Sequence, residues 1–304
     1  MQRRYITVDV FTDRAFGGNP LAVVFDAGGL STEQMQAVAR EFNYSETTFV
    51  LPPADPAHDA QVRIFTVNRE LPFAGHPNVG TAFVLATRVA KPPARLLFEE
   101  GAGLVPVEIV TEQGRVVSTE FTAPQPLKRM SHVSAEQAAA LLSLSASDVR
   151  TDRHPPQVIS VGLAFVAVEL TSREALRRAK PDAAAFERTF PCDGSDAVYF
   201  YTRDVPSGEK PCELQARMFH PGASGLSEDP ATGSATAACA ALLADLDGSK
   251  DGELALKIGQ GFDMGRPSLL LTRVRKQNGA VASIRVGGGS VKIMEGTFSL
   301  QGAE

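Results

Sequence analysis

Two stretches of this chain are built to form helices that cannot face water. One runs from Thr81 to Val89. The other runs from Ala231 to Asp245 and is made almost wholly of Ala, Thr, Ser, Leu and Cys. Each follows a glycine- and proline-rich turn, Phe73-Ala-Gly-His-Pro77 in one case and Glu228-Asp-Pro-Ala-Thr-Gly-Ser234 in the other. A helix that is apolar nearly all round must be enclosed by other structure. The flanking sequence supplies strands to do it. Tyr5–Phe11, Leu21–Phe25, Thr47–Leu51, Gln61–Val67, Leu96–Phe98, Gly103–Val110 and Val116–Phe121 surround the first helix. Val158–Leu170, Ala197–Thr202, Cys212–Phe219, Leu254–Ile258, Ser268–Arg275 and Ala280–Val286 surround the second, and Val291–Leu300 closes the chain as a further strand. The expected class is α+β, with two pseudo-symmetric lobes, each a mixed β-sheet curled around a central apolar helix. The repeat is one of layout, without residue-level periodicity.

The 304 residues suffice for two domains. Pro124 and Pro126 mark the linker, giving an N-terminal lobe over 1–125 and a C-terminal lobe over 126–287. Outside the enclosed helices, Ser31-Thr-Glu-Gln34 forms a capping box before Met35, Val38, Ala39 and Phe42, one apolar helix face. Asn43 can adopt the left-handed conformation that ends such a helix. Glu46 follows, where the next strand begins. Thr171–Ala179 reads as a short helix.

Charge and cysteine usage narrow the function. Thirty Lys and Arg against 35 Asp and Glu leave a net charge of −5, which argues against a nucleic-acid partner. Nothing reaches the length of a membrane span, and the first residues lack the apolar core of a signal peptide. Cys192, Cys212 and Cys239 make no C-x-x-C pair, so a reduced, cytoplasmic setting is expected. The five histidines, at 58, 76, 132, 154 and 220, have no metal-ligand spacing, and no metal is expected. No G-x-S-x-G elbow and no Gly-Lys phosphate loop occur. The nearest dinucleotide fingerprint, Gly259 to Gly265, has its last glycine one place late and leads through Arg266-Pro267 into a strand.

What remains is the pair of helix entrances. Helix N-termini carry free N–H groups and partial positive charge, so they suit a carboxylate or a developing oxyanion. Gly75 and Gly233 allow close backbone approach. His76 stands at one entrance, Asp229 and Ser234 at the other, and Glu46 is a third acid–base candidate. Taken singly, each has an ordinary structural explanation: a solvated Glu, an Asp cap, a His bonding its own loop, a tight glycine turn.

Five blocks taken together resemble the phenazine-biosynthesis PhzF-like family. They are Asp9-Val-Phe-Thr with Phe16-Gly-Gly-Asn-Pro-Leu-Ala-Val-Val24; Met35-Gln with Glu41-Phe-Asn-Tyr-Ser-Glu-Thr-Thr-Phe-Val50; Glu70-Leu-Pro-Phe-Ala-Gly-His-Pro77; Glu228-Asp-Pro-Ala-Thr-Gly-Ser-Ala235; and Gln260-Gly-Phe-Asp-Met-Gly-Arg-Pro-Ser268. The resemblance implies the diaminopimelate-epimerase-like fold, with the site between the lobes and the last strand, 288–304, returning to the first. It implies a cofactor-independent isomerase that moves a proton between carbons of a small carboxylate-bearing metabolite. Glu46, His76 and Asp229 match the family's catalytic positions, and Gly75, Gly233 and Ser234 its substrate-binding ones. It further implies a homodimer. Related racemases place a cysteine at each helix entrance. Here neither entrance has one, and Cys239 lies five residues beyond Ser234. Two alternatives stay open: an epimerase or racemase using Glu46 and Asp229 as its two bases, and a metabolite-binding protein without chemistry. Loops 151–156 and 205–211 are expected to form pocket walls and to set the substrate.

Overall fold

The computed structural model describes residues 2–205, 212–222 and 225–300. Residues 206–211 of the second wall loop, and residues 223–224, lie outside the described residues. The chain divides into two compact units, Met1–Thr122 with Gly287–Glu304, and Ala123–Val286.

In the first unit, β1 (Gln2–Val10) pairs antiparallel with β2 (Asn19–Val24) on one side and with the chain's final strand, Ser290–Ser299, on the other. Helix α1 (Thr32–Phe42) crosses to β3 (Glu46–Leu51), which lies parallel to β2 with Leu21 opposite Glu46. The capping box forms as its sequence requires. Ser31 accepts from the Gln34 N–H while Gln34 Oε1 accepts from the Ser31 N–H. Asn43 ends the helix at φ 53°. The sheet continues through β4 (Ala60–Phe65), to which the short β5 (Glu70–Leu71) is antiparallel. Helix α2 (Gly75–Thr87) follows, and then β6 (Arg95–Glu100), β7 (Gly103–Glu112) and β8 (Arg115–Thr122) form an antiparallel meander. These strands enclose α2, which packs against β1, β2, β3, β7, β8 and the final strand.

The second unit begins with β9 (Lys128–His132) and α3 (Ala135–Leu141). The short β10 (Val149–Arg150), β11 (Gln157–Ser160) and β12 (Ala164–Leu170) come next. Helices α4 (Arg173–Arg178) and α5 (Ala183–Thr189) lead to β13 (Val198–Thr202), β14 (Leu214–Gly222) and β15 (Gly225–Glu228). Helix α6 (Gly233–Leu246) then enters the interior, and β16 (Gly252–Gln260), β17 (Ser268–Gln277), β18 (Ala280–Gly288) and β19, the final strand, complete the chain. Residues 233–244 of α6 are all buried. It packs against β11, β12, β16 and β17.

The structure corrects three expectations. Helix α2 starts at Gly75, six residues before Thr81, because a proline at the third helical position gives up an N–H that the first turn does not use. The apolar run Val158–Leu170 is two antiparallel strands, with Ile159 opposite Phe165, turning at 161–163. The second unit also holds α3 and α5, which the sequence reading passes over although Ser134 and Gln137 form a full capping box.

Candidate active site

Glu46 is placed by two devices. Asn43 reverses the chain in the left-handed conformation, its N–H bonded to the Ala39 carbonyl at 3.1 Å. Three residues later the backbone is locked into register with β2. The carboxylate therefore stands on a rigid strand start with its side chain only 16% exposed. His76, the second residue of α2, comes to meet it: His76 Nε2 lies 3.3 Å from Glu46 Oε2. On the other side of the ring, Asn19 Nδ2 lies 3.3 Å from His76 Nδ1. Three elements thus converge on the imidazole, the starts of β2, β3 and α2.

Burial pushes the His76 imidazole down to about 3, outweighing the opposing effect of the nearby Pro20 backbone. The ring is neutral at neutral pH. As a neutral ring it can accept a proton at one nitrogen while donating from the other, and so relay one for Glu46 without keeping a charge.

The second set belongs to α6. Asp229 is buried, and its N–H donates to the Met218 carbonyl at 3.1 Å. It follows Glu228, whose carboxylate takes a bidentate pair from the buried Arg217, 2.8 Å on both arms. Thr232 Oγ1 donates to Asp229 Oδ2 at 2.5 Å. Gly233 and Ser234 are the first two residues of α6, both buried.

One contrast separates the two enclosed helices from the others. Helices α1, α3, α4 and α5 each have a side-chain cap, from Ser31, Ser134, Ser172 and Asp182. Helices α2 and α6 have none. Their first N–H groups and partial positive charge are left for another acceptor, which a substrate carboxylate can be.

Sequence reasoning missed three residues here. Asn19 was legible only as part of a Gly-Gly-Asn-Pro turn. Thr232 and Gln260 lie within two of the five blocks, but no local signal gives either a role. Cys239 is fully buried in the second turn of α6, where burial pushes its thiol well up, so it is no base. Among the described residues no group of three or more His, Cys, Asp or Glu side chains could hold a metal ion. Nor is any helix there long and apolar enough to cross a membrane.

Helices enclosed by strands, as α2 and α6 are, belong to an epimerase-like fold. A hydroxyproline epimerase from Agrobacterium vitis shares this fold at 15% identity and a TM-score of 0.65, over 98% of this chain and 91% of that one. The chain belongs to the phenazine biosynthesis-like (PhzC-PhzF) family, whose profile matches residues 8–296. A trans-2,3-dihydro-3-hydroxyanthranilate isomerase from Pseudomonas aeruginosa is 38% identical over 295 residues, 96% of this chain and 98% of that protein. An uncharacterized isomerase of Mesorhizobium japonicum is 38% identical over 298 residues, covering 97% and 98%. The crystal structure of a PhzF-family protein from Bacillus anthracis superposes with a TM-score of 0.86 at 26% identity, covering 99% of this chain and all of that one. The chain is an isomerase of small metabolites.

Proposed function

We propose that this isomerase moves a proton between carbons of a small, cyclic, carboxylate-bearing metabolite without a cofactor, using Glu46, His76 and Asp229. The observation that carries the reading is the Glu46–His76 pair, a strand-anchored carboxylate 3.3 Å from a neutral imidazole at the start of an uncapped, enclosed helix. Glu46 takes the proton from one carbon, and the electron pair delocalises toward the substrate's carboxylate or ring. The N–H groups that open α2 and α6, at Gly75, Gly233 and Ser234, hold the carboxylate and the developing negative charge. Asp229 serves the second carbon. One C–H bond breaks and one forms, so the step needs no oxidant or reductant. Both residue sets act on one substrate molecule in this reading, which family membership supports. The relatives named trans-2,3-dihydro-3-hydroxyanthranilate isomerase make an unsaturated ring amino acid the first compound to test. The same reading places the enzyme in the cytoplasm as a homodimer, on composition and resemblance.

The test is deuterium incorporation from D₂O into a panel of cyclic carboxylates, followed by NMR. Deuterium at a new carbon with a shifted double bond supports the isomerase. Deuterium at an inverted stereocentre with the skeleton unchanged indicates the epimerase. Tight binding without exchange indicates a metabolite-binding protein.

A further inference from the structure

The block Gln260–Ser268 has no part in the chemistry above, yet it is built around the residues that have. Gln260 ends β16 and is fully buried. Its Oε1 accepts from the Thr232 N–H at 3.1 Å. Its Nε2 donates to the Asp229 carbonyl at 2.9 Å and to Thr232 Oγ1 at 3.0 Å. The partners fix the amide's orientation, since a backbone N–H can only donate and a backbone carbonyl can only accept. The remaining direction follows. Thr232 Oγ1 accepts from Gln260, so its own proton points to Asp229 Oδ2, 2.5 Å away.

A second observation agrees. Thr232 is the N-cap residue of α6, yet its side chain caps no N–H of that helix. A threonine in that position ordinarily stabilises the helix by accepting from one of its first N–H groups. Here the hydroxyl is diverted to Asp229. Beyond Gln260, Ser268 Oγ lies 3.1 Å from the Pro230 carbonyl and 3.0 Å from that of Arg266, its single proton shared between the turn and the block's own backbone.

We propose that Gln260 and Thr232 are positioning residues for Asp229: the Gln260 amide orients the Thr232 hydroxyl, and that hydroxyl's donated bond aims the Asp229 carboxylate and favours its ionised, proton-accepting form. The catalytic meaning rests on the reading of Asp229 given above. A hydrogen bond to the charged form of a carboxylate lowers its proton affinity, so removing it raises that affinity.

The experiment reads this without substrate. The full-length protein is labelled with ¹³C at the Asp carboxyl carbons and titrated by NMR, with the Asp229 resonance assigned by its loss in Asp229→Asn. Thr232→Val keeps the shape and removes the hydroxyl. Its Asp229 midpoint is expected to rise by about one pH unit or more, a tenfold gain in proton affinity. Thr232→Ser, which keeps the hydroxyl, is expected to stay within about 0.3 pH unit of wild type. Gln260→Met is expected to raise the midpoint in the same direction, and it carries the test if Thr232→Val does not fold. A midpoint unchanged in the Val or Met variant, or moved as far by Ser as by Val, overturns the proposal and leaves a purely structural clamp. Failure of the catalytic reading looks different: Asp229→Asn would keep full turnover while the effect of Thr232→Val on the midpoint remained.

Discussion

Glu46 Oε2 lies 3.3 Å from Nε2 of a His76 ring held neutral by burial. The carboxylate therefore has no imidazolium beside it to quench its basicity. Glu46→Gln keeps the shape but cannot accept a proton at neutral pH. Turnover is expected to fall by about 10²–10⁴-fold, the usual cost of losing a general base. Substrate affinity should change much less, because the proposed function gives the substrate carboxylate to the helix starts and not to Glu46. Turnover within a few-fold of wild type, measured beside affinity, would refute the assignment and pass the role to Asp229.

A different carboxyl makes stability fall from mildly acidic to mildly basic pH. Glu100 ends β6 with both side-chain oxygens shielded from solvent and without a hydrogen-bond partner among the described residues. Asn78, on the second turn of α2, is the polar side chain that approaches it. Burial pushes the Glu100 carboxyl up to about 8. In the unfolded chain it titrates near its ordinary 4.5. Between those values the folded state binds the proton and the unfolded state does not, so stability falls as pH rises from about 4.5 to 8 and then levels. Across that window each pH unit removes up to about 1.4 kcal/mol of stability. Glu100→Gln should flatten this limb and be the more stable protein at a pH of about 9, above both midpoints. Urea unfolding of both across that range measures it, and parallel curves would count against it.

The fold was legible where one local rule decides. Ser31, Gln34 and Asn43 bound α1 as their chemistry demands, because caps act within four residues. The enclosed helices were legible because an all-round apolar helix has few options. The start of α2 was not: glycine and proline in a first turn read as loop until the enclosing strands are present. Similarly, Val158–Leu170 offers no polar cluster to mark its turn. At the site, the local sequence made Glu46 and Asp229 candidates, and the family resemblance weighted them. Their partners stayed hidden because the contacts are distant in sequence. Asn19 meets His76 across 57 positions, and Gln260 meets Thr232 across 28.

Thiols and metals should be dispensable. Cys239 is fully buried with its thiol pushed well up, so it is neither reachable nor ionised near neutral pH. Cys192 and Cys212 are partly exposed, and burial raises both thiols. Activity is expected to survive EDTA and mild alkylation under conditions that leave the fold intact by circular dichroism. Loss on chelation with recovery on adding a divalent ion would overturn the metal-free chemistry.

Two glycines separate backbone strain from displacement of the Asp229 turn. Gly261 and Gly279 both adopt left-handed backbone, at φ 75° and 82°. A side chain at either position incurs about 1–2 kcal/mol of conformational strain. Only Gly261 is also crowded. A Cβ there would stand 2.6 Å from the Pro230 carbonyl oxygen and 2.4 Å from that of Arg266, whereas nothing lies within 4 Å of a Cβ at Gly279. Both contacts are backbone, so no side chain can swing away. Gly261→Ala must push Pro230, and with it the turn from Asp229 to Thr232. A misplacement of about 1 Å in a catalytic group can cost on the order of 10²-fold in rate. Gly279→Ala should therefore lower the melting temperature with turnover unchanged, while Gly261→Ala should lower both. Equal turnover in the two variants, assayed below both melting temperatures, would show that the Pro230 turn does not set the position of Asp229.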